Sequence, residues 1–325
     1  MDQKTLDILM KYSDIEKYQK INHKFKNNVP NAAIIQDDDS SINIPNINEY
    51  FFKNHDIYIS KHNRFASYPT HKHKFLEMNY CYNGNCTEIV DDDKVSLKKG
   101  DLILLDVGCS HSVDYLGEKD ILINILFRDQ DINLATLNDL RGTESVLFDF
   151  LINRIIKSHK NPKSIVFRKT NKNMEISDTL EKIIDEYILN KEFSNTIIKS
   201  YLNILLIQLV RNYKNKRSNV SQTKSLIIRI LHDITVDYAN ISLETVAMKY
   251  NYNKNYLSNL FKEEVGENFI KVLTRERIMK AHELIQTTSL PICEIINSVG
   301  IKNLNFFYSK YKEQYDEMPN QTRCK

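Results

Sequence analysis

Two groups of residues carry types and spacing that could do chemistry. His71, His73 and Glu77 form a His-x-His-x-x-x-Glu run, and His111 follows downstream. Imidazole nitrogens and a carboxylate are donors that a divalent metal accepts, and they are equally the hydrogen-bonding groups that orient a small polar ligand. His71, His73, Glu77 and His111 are read here as the polar lining of a ligand pocket or as structural hydrogen bonds near its mouth. No metal and no cofactor is assigned to them, and metal-dependent chemistry stays open as the alternative. In the last third of the chain, Lys254, Asn255, Ser258, Asn259 and Lys262 are followed by a second set, Lys302, Asn305, Ser309, Lys310 and Lys312. Asn pairs bidentately with adenine, Lys donates to guanine or phosphate, and Ser serves either, so such faces suit a major groove. A solvated helix face is the plain alternative for each set taken alone. No phosphate-binding GxxxxGK loop, GxGxxG, GxSxG or HExxH is present, so an enzyme reading rests on the His/Glu set alone.

The elements that must hold the second group are legible in turn chemistry. Ser242 can cap a short helix carrying Leu243, Val246 and Ala247, and Asn253 can cap the next. Ala247 supplies a small packing corner, and Asn251 tolerates the positive φ that a tight turn requires. The second helix offers Tyr256, Leu257, Leu260 and Phe261 for packing, leaving Asn253, Lys254, Asn255, Ser258, Asn259 and Lys262 as candidate nucleic-acid contacts. The arrangement appears again. Pro291 opens a helix with Ile292, Ile295, Ile296 and Val299, Gly300 makes the turn, and Asn303 starts a helix with Phe306, Phe307 and Tyr311 facing inward. Lys302, Asn303, Asn305, Ser309, Lys310 and Lys312 are its candidate contacts. Between the units, residues 268–287 form a helix roughly 30 Å long at 1.5 Å per residue, against about 34 Å for a turn of B-DNA. Such a rod can set two reading helices in successive major grooves, with Arg275, Arg277 and Lys280 on it for structure or for phosphate.

The rest of the chain supports a soluble, multidomain protein. At 325 residues it exceeds what one core usually serves. Its 42% apolar and 27% charged residues exclude collagen-like and disordered classes. No apolar run is long enough to span a bilayer and Met1 opens a polar segment, so a cytoplasmic protein is expected. Cys81, Cys86, Cys109, Cys293 and Cys324 show no CxxC pair, which favours reduced thiols. Residues 218–325 hold 14 Lys and Arg against 12 Asp and Glu, so bulk charge gives little support to nucleic-acid binding.

Residues 1–54 are read as an N-terminal extension, with an imperfect helical pattern ahead of a polar stretch at Asp37, Asp38, Asp39, Ser40 and Ser41. From Asp56 to Arg128, runs such as Ile57–Ile59, Thr87–Val90 and Leu102–Leu105 alternate with turn signals at Asn83-Gly84 and Lys99-Gly100-Asp101, which predicts short strands in a small barrel or sandwich. Ile176, Leu180, Ile183, Ile184, Tyr187 and Ile188 form one helical stripe, and Ile197 to Val210 carry another. These predict an antiparallel hairpin that packs on the barrel or pairs with a second copy. Residues 214–222 read as a linker.

Taken in order, Tyr256-Leu257-Ser258-x-Leu260-Phe261-Lys262, Gly266, Phe269, Leu273, Arg277, Ala281, Leu284, Glu294-Ile295, Gly300, Phe307 and Pro319 resemble the AraC/XylS family of transcription regulators over about 100 residues. The resemblance implies a seven-helix DNA-binding domain whose two reading helices match residues 253–264 and 303–314. The sequence departs from the pattern at Ile301, Ile296, Asp316 and Thr322. His71-x-His73-x-x-x-Glu77, Gly100-Asp101 and His111 look like the cupin pattern, in which such residues can ligate a metal inside a barrel. The expected architecture is therefore α+β and multidomain. After the extension come a cupin-like effector-binding β-barrel over 55–165, a helical dimerisation hairpin over 166–213, the linker, and an all-α double helix-turn-helix domain over 223–325. Expected partners are double-stranded promoter DNA, a second copy of the chain and a small-molecule effector, with RNA polymerase a further candidate. Neither an enzymatic activity nor a membrane is expected.

Overall fold

The computed structural model describes residues 1–35, 44–53, 56–128, 132, 145–155, 163–170, 173–213 and 222–323. These divide into two compact units, one holding the described residues up to 151 and from 163 to 213, the other holding 152–155 and 222–323. The acidic stretch at 37–39, most of the expected linker and Cys324 lie outside the described residues.

The first unit opens with α1 (Gln3–Met10) and α2 (Asp14–Asn22). Asp2 caps α1 by accepting from the Lys4 amide at 2.9 Å, and Ser13 and Glu16 form a reciprocal capping box on α2. The apolar pattern here is imperfect because the buried face of α2 is polar. Glu16 is fully buried and accepts from Arg64 Nε at 2.7 Å and Lys61 Nζ at 2.8 Å, while Gln19 Nε2 donates to the Arg64 carbonyl at 2.6 Å. An ion-pair cluster, more than an apolar stripe, docks this segment.

Eleven strands follow among the described residues: β1 (Ile34–Ile35), β2 (Asn46–Ile47), β3 (Tyr58–Lys61), β4 (Tyr68–His73), β5 (Leu76–Asn83), β6 (Asn85–Val90), β7 (Asp93–Lys98), β8 (Leu102–Leu105), β9 (His111–Val113), β10 (Ile121–Phe127) and, after α3 (Val146–Ile155), β11 (Ser164–Phe167). They form two sheets, β1-β2-β4-β9-β6-β7 and β11-β8-β5-β10-β3, and not the closed barrel that the cupin resemblance implied. The physical reason lies at the Asn83-Gly84 turn. Instead of pairing with β5 as a hairpin, β6 crosses to the other sheet. Gly84 makes that corner at φ +76°, and a Cβ there would meet Asp120 Oδ1 at 2.0 Å. Cys81, Ile103, Leu105 and Leu122 from one sheet bury against Cys86, Val90, Leu97 and Val113 from the other.

The two helical stripes form α4 (Met174–Leu189) and α5 (Ser194–Asn212), which pack on one another. Ile176, Leu180, Ile183 and Ile184 are buried on the first, and Ile198, Leu202, Leu205, Leu206, Leu209 and Val210 on the second. Phe193, Ile197 and Ile204 remain exposed.

The second unit is all helix: α6 (Gln222–Val236), α7 (Leu243–Tyr250), α8 (Lys254–Val265), α9 (Phe269–Thr287), α10 (Ile292–Ser298), α11 (Leu304–Tyr315) and α12 (Pro319–Arg323). The predicted rod is α9, 19 residues long and packed against α6, α8, α10, α11 and α12. Ile278, Ala281 and Ile285 from α9 bury with Ile295, Ile296, Val299, Ile301, Phe307 and Tyr311. Ile296 and Ile301, which depart from the family pattern, are therefore core residues. No described helix is long and apolar enough to cross a membrane.

Candidate functional site

Local caps fix the two reading helices. Asn253 Oδ1 accepts from the amides of Asn255 at 2.9 Å and Tyr256 at 3.3 Å, and Asn303 Oδ1 accepts from Phe306 at 3.0 Å. These two carboxamide oxygens are thus engaged in starting the helices. The turns before them use the expected residues, with Asn251 at φ 56° and Gly300 at φ 80°. Ser242 and Thr245 form a capping box on α7.

Along α8 and α11 the same positions are buried. Leu257 and Phe261 correspond to Phe307 and Tyr311, all of them inaccessible. Outward stand Lys254, Asn255, Asn259 and Lys262 on α8, then Lys302, Asn305, Ser309 and Lys312 on or beside α11, all exposed, with Ser258 and Lys310 half-buried. Lys254 Nζ lies 3.5 Å from Glu244, and Lys310 pairs with Glu313 at 2.5 Å. Tyr256 and Phe306 correct the sequence expectation. Both were assigned to the packing face, and they are 53% and 41% exposed. The rod cations have partners within the unit: Arg277 donates to the carbonyls of Tyr238 at 2.7 Å and Ala239 at 3.0 Å, Arg275 pairs with Glu267 at 2.6 Å, and Lys280 pairs with Glu283 at 3.1 Å.

The histidine set comes together between the sheets of the first unit. His71 and His111 are register partners on β4 and β9, with ring centroids 4.1 Å apart. Glu77 Oε2 reaches across from β5 to His73 Nε2 at 3.3 Å and His111 Nε2 at 3.7 Å. All four residues are buried. Sequence reasoning missed three more members. Asn124 Nδ2 donates to Glu77 Oε1 at 2.6 Å, and Asn79 Nδ2 donates to Glu88 Oε2 at 3.2 Å. The alternation of β6 could have flagged Glu88, since Cys86, Glu88 and Val90 share its buried face.

This cluster is under-satisfied. His73 Nε2, both nitrogens of His111, Asn79 Oδ1, Glu88 Oε1 and Asn124 Oδ1 are buried without a hydrogen-bond partner. Burial drives the imidazoles toward neutrality, lowering His71 and His111, His62 to about 4 and His73 to about 3. Burial, reinforced by Glu77, pushes the Glu88 carboxyl up to about 8. His71 and His73 contact the carbonyls of Pro69 and Phe75 through Nδ1, at 3.2 and 2.6 Å, and in neutral His73 this makes Nδ1 the donor and leaves the unpartnered Nε2 as a lone pair. Ligand atoms of His71, Glu77 and His111 lie within 4.8 Å of one another, a nitrogen and oxygen set that fits a divalent first-row ion. On the outer side of the β5-containing sheet, a separate cavity of about 370 Å³ is walled by Ile8, Leu9, Ile59, Ile123, Ile184 and Ile188, with Lys11, Ser13 and Asn63 among its polar lining.

A double helix-turn-helix unit on a shared rod and a two-sheet unit with a polar interior together define a DNA-reading protein with a separate ligand-binding part. The comparisons agree. Residues 55–206 match the AraC-like ligand binding domain, and residues 246–325 match a helix-turn-helix domain. The xylose operon regulatory protein of Escherichia coli K12 is 31% identical over 121 residues, which is 37% of this chain and 31% of that protein. The aligned stretch thus spans about a third of that relative. The transcriptional activator RhaR of Mannheimia succiniciproducens is 20% identical over 261 residues, 79% of this chain and 88% of that one. The C-terminal domain of AraT, a response regulator from Geobacillus stearothermophilus, is 35% identical, covering 33% of this chain and 88% of that domain with a TM-score of 0.30. The chain belongs to the AraC/XylS family of transcription regulators. That family is not enzymatic, which removes the enzyme alternative raised by the histidine set.

Proposed function

We propose that this chain regulates transcription by reading promoter DNA through α8 and α11, under the control of a small effector held by the first unit. One observation carries the reading. The same outward positions recur on two helices braced by one rod, with Asn255 and Asn305 exposed at equivalent places. Duplexes selected from a random pool by the purified protein test it. Asn255→Ala or Asn305→Ala should relax preference at one base pair by about 1–3 kcal/mol, while Lys262→Ala should weaken binding to all sequences and lower the salt slope. Equal losses on selected and random duplexes for both Asn variants would sink the base-reading role.

The effector site is the cluster of His71, His73, Glu77 and His111, extended by Asn79, Glu88 and Asn124. Its unpartnered donors and acceptors suit hydroxyl groups, which offer both. The xylose operon regulatory proteins among its relatives make a small sugar the first effector to try. The exposed Phe193, Ile197 and Ile204 on the α4–α5 hairpin support homodimerisation there. RNA polymerase is the further partner that an activating role in the cytoplasm would require. Effector and DNA would be coupled by about 1–3 kcal/mol.

A second reading is favoured by one observation, the ligand atoms of His71, Glu77 and His111 gathered within 4.8 Å of one another with neither His111 nitrogen hydrogen-bonded. A divalent ion held by His71, Glu77 and His111 would engage one of those nitrogens and supply a Lewis-acidic centre for effector binding. Metal analysis of protein purified without chelator separates the two: stoichiometric metal lost in His111→Ala supports this reading, and metal-free protein that still responds to effector removes it.

A further inference from the structure

Each reader exposes an aromatic ring that stands outside its buried core. Tyr256 and Phe306 stand at the same place, three residues after the capping Asn253 and Asn303, and both are exposed. Residues three and four positions further along are Asn259 and Leu260 in one case, Ser309 and Lys310 in the other, so each ring lies over the outward face that carries those groups. The Tyr256 ring is backed by Tyr252, with centroids 5.8 Å apart and planes within 11°.

A single exposed aromatic ring is ordinary on a protein surface. Here it recurs at matched positions on the two helices, beside the shared Asn255 and Asn305, although the neighbouring exposed residue differs, Lys254 standing against Leu304. What the two positions share is the face turned to DNA. Within the major groove, the apolar group that base edges present is the 5-methyl of thymine.

We propose that Tyr256 and Phe306 each pack on a thymine methyl, fixing the place of one T·A pair in each half of the bound duplex. The proposal rests on the DNA-reading role of α8 and α11 given above. The full-length protein is tested on a duplex selected from a random pool and resynthesised with deoxyuridine for thymidine in one half at a time. This deletes the methyl and leaves the pairing edge intact. Wild type should bind about four-fold more weakly per contacted methyl lost, the weight of burying one such group. Phe306→Ala should lose that discrimination in the half under α11, and Tyr256→Ala in the half under α8. Both rings are exposed, so the variants keep the wild-type circular dichroism. Equal wild-type affinity for the thymidine and deoxyuridine duplexes, a methyl effect that survives in both variants, or selected sites lacking thymine under both helices would each overturn the proposal while leaving sequence-specific reading intact. Failure to retain any duplex sequence-specifically would take down both.

Discussion

Replacing Gly300 with alanine sets a methyl group against a backbone atom that cannot step aside. A Cβ built there would lie 2.2 Å from the Ala239 carbonyl oxygen and 2.9 Å from its carbon, and that oxygen is held by Arg277 Nη2 at 3.0 Å. Gly266 supplies the control. It has nearly the same backbone angle, φ +75° against +80°, with nothing within 4 Å of its Cβ position. Each Gly→Ala change carries the left-handed conformational cost of about 1–2 kcal/mol. Gly300→Ala adds an overpacking cost of about 1–3 kcal/mol, because the turn and the loop carrying Ala239 must separate. The expectation is about 1–2 kcal/mol for Gly266→Ala and about 2–5 kcal/mol for Gly300→Ala. The effect of alanine on the unfolded chain is common to both and cancels in the difference. Native-state hydrogen exchange of the α9 and α11 amides in the full-length protein measures it. Agreement of the two variants to within about 0.5 kcal/mol would refute the packing argument.

Three further outcomes are expected. Glu16→Ala should destabilise the first unit by about 3–5 kcal/mol, because it strands the buried Arg64 guanidinium; a loss below about 1 kcal/mol in urea unfolding would show that the α2 docking cluster holds little. Glu88 has a folded pKa raised to about 8, so its favourable contribution is complete below its unfolded value of about 4.3 and fades as pH rises through about 8. Glu88→Gln should therefore gain on wild type between pH 5 and pH 8, by up to about 1.4 kcal/mol per pH unit, and a gap between the two proteins that stays constant with pH would contradict this. Asp316 caps α11 at φ 55°, where glycine is free of the Cβ penalty, so Asp316→Gly should stabilise the second unit by about 0.5–1 kcal/mol; a lower thermal midpoint would count against it.

Local chemistry made the second unit readable. Asn253, Asn303, Ser242 and Gly300 act within a few residues of themselves, so a cap or a turn can be recognised without knowing what packs above it. The outward Tyr256 and Phe306 escaped for the opposite reason. Apolar spacing offers a stripe four residues wide at 256, 257, 260 and 261, and only the depth of the neighbouring core decides that Leu257 and Phe261 take the interior. In the first unit, hydropathy along Thr87–Val90 would turn Ile89 inward and Glu88 outward. The strand does the reverse, with Ile89 exposed and Glu88 inaccessible, because the facing sheet brings Asn79 to that carboxyl. Strand alternation sets Glu88 on the face of Cys86 and Val90, but the partner that accommodates a carboxyl there is remote in sequence. The open pair of sheets has a similar cause, since the corner at Gly84 is fixed by Asp120, well away along the chain.

The two readers agree in which positions they bury and share Asn255 with Asn305 and Lys262 with Lys312, but they differ in between: Ser258 against Tyr308, Asn259 against Ser309, Leu260 against Lys310. A surface composed of unlike halves has no twofold axis of its own. On double-stranded DNA it can settle in one sense only, head toward one end and tail toward the other. If α8 and α11 read DNA as proposed, a lone protomer so placed distinguishes one end of its site from the other.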